Sequence, residues 1–217
     1  MTVIVLAKAP VPGRVKTRLC PPCDPEQAAR LAEAALVDTL RAVAGAACTR
    51  RVLVLDGAPG PWLPAGFEVL PQRGGGLDER LAHAFEDVGC GGVLVGMDTP
   101  QLTPARLTAS LRALDAPRVD AVLGPSLDGG WWGIGLRAPD PAVFLDVPMS
   151  TASTCAAQRA RLRSLGLRVA RLPQARDVDD FDDALAVART APAGMFAATL
   201  RPMLASRVLG GDSLATR

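Results

Sequence analysis

The chain opens on 2-TVIVLA-7, passes through 8-KAPVPGRVKTRLCPPC-23, and continues as 24-DPEQAARLAEAAL-36. The first stretch is an unbroken apolar, β-branched run, the pattern of a strand buried on both faces of a parallel sheet. The third carries a helix start. Asp24 is a good N-cap, Pro25 suits the first helical position, and Glu26 and Gln27 fall in the first turn. The spacing predicts a helix to about Ala46. Strand, loop and helix in that order form the first half of a βαβ unit.

The same alternation continues outward. Strands are expected at Arg51–Asp56, more weakly at Phe67–Leu70, and again at Gly92–Gly96 and Val119–Leu123. Helices are expected at Leu77–Val88 and from near Pro104, the latter capped by Thr103. Gly124–Leu136 is too glycine-rich for a helix and reads as a turn and hairpin, or an irregular strand. A helix from about Ser150 to Leu165, a strand at Leu167–Arg171, a helix from about Asp180 to Thr190 and a helical segment over Gly194–Ser206 complete the pattern. Repeated βα units imply an α/β sandwich around a mostly parallel sheet. The expected organisation is one domain over residues 1–190, with 191–217 as a helical extension packed on it.

Composition narrows the function. The 217 residues are 49% apolar and 21% charged, so a disordered tail protein and a coiled coil are excluded. A net charge of +2 leaves no basic surplus for general nucleic-acid binding. No apolar run is long enough to span a membrane, and the short apolar start lacks a basic region before it. Five scattered cysteines suggest a reducing compartment, and a cytoplasmic location is expected. Of the 24 basic residues only Lys8 and Lys16 are lysines, and both fall in the first loop. Random placement would put both there roughly 2% of the time, a bias judged against composition. An ammonium is a compact point charge with three donors, where a guanidinium is a planar fork.

Ligands of such sheets bind beyond the carboxyl ends of the strands. Three unusual loops, 8–23, 98–103 and 124–130, lie there. In the first, Lys8, Gly13, Arg14, Lys16 and Arg18 sit between a strand and a helix N-terminus, which makes a cradle for a polyphosphate. The alternative is a solvated basic loop. Neither the Walker nor the Rossmann spacing is present. Asp98 follows an apolar strand and offers a hard carboxylate suited to Mg²⁺, or else caps a turn. In 177-DVDDFDD-183, Asp180 can cap a helix with Asp182 and Asp183 in its first turn. Asp177 and Asp179 precede it and are better placed to face a metal. Asp128 could hold an acceptor, Gly129 and Gly130 allow backbone to approach a ligand, and Trp131 and Trp132 point to opposite faces if extended. A glycine-rich hairpin with core tryptophans is the plainer reading of that segment. Gln72 could read a base edge. His83 reads as a structural residue in mid-helix, which disfavours a histidine-based triad. Cys20-Pro-Pro-Cys23 lacks the partners of a zinc site, and a redox pair is a minor alternative.

Taken together, AKAPVPGRVKTRL, QRGGGLDER, VGMDTPQL, GPSLDGGWWGIGL, the Pro-Met-Ser-Thr at 148–151 and DVDDFDDAL resemble the DUF2064 proteins over about residues 2–190. These form the "transferase 1, rSAM/selenodomain-associated" group of the GT-A nucleotide-diphospho-sugar transferase superfamily. The resemblance implies a GT-A fold, a Rossmann-like three-layer α/β/α sandwich. The Lys-Thr-Arg-Leu loop is also similar to that of phospholactate guanylyltransferases, where it embraces a nucleoside triphosphate. The resemblance thus implies nucleotide contacts from Ala7, Lys8, Gly13, Arg14, Lys16, Arg18 and Gln72, and a metal on Asp98 with Asp177 or Asp179. Acceptor contacts would come from Asp128, Gly129, Gly130, Trp131, Ser150 and Thr151. Two departures affect the acceptor more than the nucleotide. Trp131-Trp132 replaces the usual Tyr-Tyr, and Met149-Ser150-Thr151 the usual Trp-Ser-Thr.

The resulting expectation is a transferase that uses Mg²⁺ or Mn²⁺. A small phosphorylated or oxyanionic acceptor would attack the α-phosphorus of a nucleoside triphosphate and release pyrophosphate. Lys16 and Arg14 would stabilise the developing charge, with Asp98 holding metal. A glycosyltransferase using a nucleotide sugar is the second reading, although Asp98-Thr99-Pro100 lacks the second acid of the usual Asp-x-Asp motif. A non-catalytic nucleotide-binding protein is the third. The sequence leaves the oligomeric state open.

Overall fold

The computed structural model of the protein describes residues 1–211 and the side chains of residues 1–205. Its strands are β1 (Thr2–Lys8), β2 (Arg50–Asp56), β3 (Glu68–Pro71), β4 (Gly92–Gly96), β5 (Ala121–Pro125), β6 (Trp131–Leu136) and β7 (Val169–Arg171). The helices are α1 (Pro25–Ala44), α2 (Leu77–Val88), α3 (Pro104–Asp115), α4 (Thr154–Ser164), α5 (Phe181–Thr190) and α6 (Met195–Gly211). The strands form one sheet in the order β3-β2-β1-β4-β6-β5-β7. Every neighbouring pair is parallel except those made by β6, which runs antiparallel to both β4 and β5. The glycine-rich segment is therefore a hairpin set inside an otherwise parallel sheet.

Local chemistry explains the helix starts. Asp24 and Gln27 form a reciprocal capping box at α1, with Pro25 just inside it. Asp180 and Asp183 form a second capping box at α5. Thr103 accepts from the Arg106 amide at α3. The expected start of α4 near Ser150 is four residues early. Ser150 sits in the left-handed region at φ 58°, and the amide of Thr151 donates to the Thr154 hydroxyl. That hydroxyl donates to Pro148 O at 2.8 Å, so local side-chain bonds hold 150–153 out of the helix.

Both faces of the sheet are covered. One core joins Val3, Val5, Leu53 and Val95 to residues of α1 and α3. The other joins Ile4, Leu94 and Ile134 to α2, α4 and Phe144, whose ring stacks on Phe85 at 5.8 Å. A third cluster packs Phe196 and Leu200 of α6, with Ala184 and Val187 of α5, against Leu31 and Ala35 of α1. Asp38 of α1 accepts the amides of Met195 and Phe196 at 2.9 and 2.8 Å, which fixes the start of α6. Of the expected 191–217 extension, residues 212–217 lie outside the described residues. Among the described residues, no helix is long and apolar enough to cross a membrane.

The architecture is α/β, with the three layers expected from the sequence. It brings loops 8–23, 98–103 and 126–130 to one edge of the sheet. The carboxyl ends of β1, β4 and β5 all open there.

Candidate active site

The carboxyl edge holds an open cleft of about 790 Å³. Of the residues singled out in the sequence, Ala7, Lys8, Arg14, Lys16, Arg18, Gln72, Asp98, Asp128, Gly130, Trp131, Ser150, Thr151, Asp177 and Asp179 line it. Gly13 and Gly129 do not. Gly13 has φ 74° with open space around it, so its role is to turn the loop. Gly129 has φ 90°, and a Cβ there would lie 2.0 Å from Ala152 O. The close approach it permits is to the chain's own backbone, since its carbonyl accepts from the Cys155 amide at 2.9 Å.

Lys16 is the centre of the arrangement. It adopts a left-handed backbone conformation before a short 3-10 turn at Thr17–Leu19. Its side chain is 8% exposed, and its Nζ lies 2.5 Å from Asp98 Oδ1. The same ammonium donates to Val178 O, while the Val178 amide donates to Asp98 O at 2.8 Å. One lysine thus ties the first loop to the end of β4 and to the acidic segment 177–179. Arg18 lies 3.5 Å from Asp179. Lys8 and Arg14 line the cleft with no ion-pair partner among the described residues.

Burial, and to a lesser degree mutual proximity, disfavours the charged form of the carboxylates. Burial pushes Asp177 up to about 6, and the neighbouring charges of Asp98 and Asp128 add to the rise. The Thr99 hydroxyl, donating to Asp177 Oδ1 at 2.5 Å, acts in the opposite direction. Asp179 is also raised, first by burial, with Asp98 and Asp128 adding and Lys16 and Arg18 offsetting. Oxygen-only donors that repel one another suit a hard divalent cation. Lys16 already acts as a stand-in, a full positive charge seated on Asp98. Among the described residues no three such side chains form a ready cage. A cation here would complete its shell with ligand oxygens and water, as Mg²⁺ does at phosphates.

Gln72 is committed differently from expectation. Its amide nitrogen donates to Ala7 O at 2.7 Å and Val54 O at 3.2 Å, so its donors brace the sheet edge. Only its carbonyl oxygen is left to meet a ligand. Trp132 is core, 1% exposed, with Nε1 donating to Pro173 O at 3.0 Å and Arg106 over its ring at 4.8 Å. Trp131 takes the other face, is partly exposed, and lines the cleft, whose lining Trp132 also reaches. His83 is half-buried with Nδ1 3.1 Å from Arg73 O, away from the cleft lining.

Sequence reasoning missed Thr99 and Arg80. Thr99 is buried and sets the position of Asp177. Arg80 of α2 lines the cleft and pairs with Asp56 at 3.1 Å. The available signal was position. Asp56 ends β2, and the first turn of α2 faces the same sheet edge.

Comparisons with known proteins agree with this architecture. The profile of a family described as an uncharacterized protein conserved in bacteria, DUF2064, matches residues 39–151, just over half of the chain. A structure from Desulfovibrio desulfuricans G20, provisionally assigned as a nucleotide-diphospho-sugar transferase, is 28% identical with a TM-score of 0.82. It covers 94% of this chain and 95% of that one. CMP:2-keto-3-deoxy-manno-octonic acid synthetase, in a complex with CTP, shares the fold at 14% identity and a TM-score of 0.56, over 88% and 98% of the two chains. UDP-glucose pyrophosphorylase from Acinetobacter baumanii does so at 10% identity and 0.55, over 86% and 92%. No curated protein matches the sequence.

Proposed function

The chain belongs to the DUF2064 family, and we propose that it is a divalent-cation-dependent nucleotidyltransferase that moves a nucleoside monophosphate from a triphosphate to a small-molecule acceptor. The observation that carries this reading is the pairing of Lys16 with Asp98 at the mouth of β1 and β4. It sets a phosphate-seeking cation and a cation-seeking carboxylate within 2.5 Å of each other.

When triphosphate arrives, its oxygens compete for Lys16, and Lys8, Arg14 and Arg18 add charge along the same loop. Charge-assisted bonds to phosphate are short and roughly twice as strong as neutral ones. Asp98, with Asp177 or Asp179, would hold a divalent cation there. Mg²⁺ or Mn²⁺, when bound, would offset the negative charge on the phosphate oxygens of the transferring group. Lys16 and Arg14 oppose the charge that develops as pyrophosphate leaves. This is catalysis by positioning and electrostatics, and it calls for no histidine.

The name of the Desulfovibrio relative supports a second reading, glycosyl transfer from a nucleotide sugar on the same cleft. The released product separates the two. Incubation with triphosphate, divalent cation and a panel of acceptors is expected to yield pyrophosphate. Release of a nucleoside diphosphate from nucleotide sugars, with no pyrophosphate from any triphosphate, would move the assignment to glycosyl transfer.

A further inference from the structure

The basic residues lining the cleft all belong to its nucleotide side: Lys8, Arg14, Lys16 and Arg18 on the first loop, and Arg80 on α2. The opposite wall presents Asp128, Trp131, Met149, Ser150, Thr151 and Thr154, and among the described residues it contributes no cation. Among the described residues that line the cleft, no basic side chain on this wall is placed to pair with a phosphate or carboxylate on the acceptor, and the Asp128 carboxylate would repel one. The oxyanionic acceptor expected from the sequence finds no basic side-chain partner among the lining residues of this wall.

What the wall does offer is uncommitted polar capacity beside the apolar bodies of Trp131 and Met149. Asp128 makes no ion pair, and its Oδ1 accepts from the Gly130 amide at 3.0 Å, leaving the other oxygen available. Ser150 is held in the left-handed region at φ 58°, and its hydroxyl has no partner among the described residues. A non-glycine residue kept in that conformation at a ligand cleft is a common sign of a clamp. The indole N–H of Trp131 is buried without an acceptor.

We propose that the acceptor is a small uncharged alcohol, carrying no phosphate or carboxylate, whose attacking hydroxyl is held by Asp128. This rests on the nucleotidyltransferase reading above. The alcohol oxygen attacks the α-phosphorus and a new P–O bond forms. The bond to the bridging oxygen breaks, and pyrophosphate leaves with its electron pair. The hydroxyl proton passes to the Asp128 carboxylate and then to solvent. The product is a phosphodiester joining nucleoside and alcohol.

The test uses matched probes with each nucleoside triphosphate and Mg²⁺: glycerol against glycerol 3-phosphate, and glucose against glucose 6-phosphate. The uncharged member of each pair is expected to raise pyrophosphate release at least ~10-fold more than its ester, and Asp128→Asn to lower that alcohol-dependent release ~100-fold, the scale of one lost catalytic proton acceptor. The triphosphate-induced rise in Tm is expected to survive in Asp128→Asn, which separates acceptor use from nucleotide binding and from misfolding. A faster reaction with the esters, or an unaffected Asp128→Asn, would overturn the proposal while leaving nucleotidyl transfer intact. If neither probe turns over, Tm with an α,β-methylene triphosphate bound decides. A further rise with the alcohols supports the proposal, and a larger one with the esters overturns it. No triphosphate effect on Tm would instead remove the nucleotidyl-transfer reading, and this proposal with it.

Discussion

Loop 8–23 and the 126–131 turn border the same cleft, yet the first adds ion pairs to its backbone bonds and its buried Val15 and Leu19, while the second makes no ion pair among the described residues. Loop 8–23 reaches across through Lys16 to Asp98 and Val178 O, and through Arg18 to Asp179. The turn is fixed by the Ser126 amide on Gly130 O at 2.9 Å, the Leu127 amide on Ala175 O at 3.1 Å and the Gly129 carbonyl on the Cys155 amide. Trp132 anchors it in the core. Ion pairs can exchange partners with an incoming phosphate, whereas backbone bonds and a packed indole cannot. The contrast assigns ligand-responsive behaviour to the basic loop and a constant shape to the opposite wall.

Breaking the fixed wall should cost stability first. Trp132→Ala is expected to lose about 3–5 kcal/mol, the range for deleting a fully buried aromatic ring. Chemical denaturation would read this as a large drop in midpoint, and a near-normal midpoint would mean the turn does not depend on the core. Breaking the responsive loop should cost activity instead. Lys16→Ala is expected to reduce turnover at least ~100-fold, typical of one lost oxyanion donor. Its Tm without ligand is expected to fall less than that of Trp132→Ala. Pyrophosphate release at the wild-type rate would remove Lys16 from the mechanism.

Smaller effects sharpen the same division. Gly129→Ala forces a Cβ against Ala152 O and strains a positive φ, so a loss of about 1–3 kcal/mol is expected, with nucleotide affinity unchanged. A parallel loss of nucleotide affinity would show that the two walls are coupled. The pH dependence of Asp177 tests the division in a different way. Its folded value of about 6 lies above the unfolded value near 3.8, so the folded state holds the extra proton. Stability from this group is present at low pH and lost as pH rises from about 4 through 6. Asp177→Asn removes that loss and keeps an oxygen for Thr99. Its Tm relative to wild type should therefore be higher at pH 7.5 than at pH 4.5, and its response to Mn²⁺ should be weakened. An identical pH profile in both proteins would place Asp177 in ordinary solvent.

Much of the fold was legible because it rests on local signals. Unbroken apolar runs gave β1 and β4, and the Asp24-Pro25 and Thr103-Pro104 pairs gave the starts of α1 and α3. The direction of β6 was left open because 124-GPSLDGGWWGIG-135 carries little side-chain pattern, so pairing rather than propensity decides it. The gathering of Lys8, Lys16 and Asp98 was legible because each follows a strand that ends at the same sheet edge. What could not be read was partnership between distant segments. Lys16 meets Val178 O across 162 residues, Gln72 spends its donors on Ala7 and Val54, and Gly129 faces Ala152 rather than open cleft. No local spacing encodes such contacts.

Thermal unfolding of the wild-type protein and Lys16→Ala, with each nucleoside triphosphate and with and without Mg²⁺ or Mn²⁺, tests the central claim most directly. A ligand at 100 times its dissociation constant adds about 2.7 kcal/mol. For a chain of this size that raises Tm by roughly 5–10 °C. The account predicts such a rise in wild type with triphosphate and cation together, and its loss in Lys16→Ala. Equal rises in both proteins, or none in wild type with any triphosphate, would contradict it.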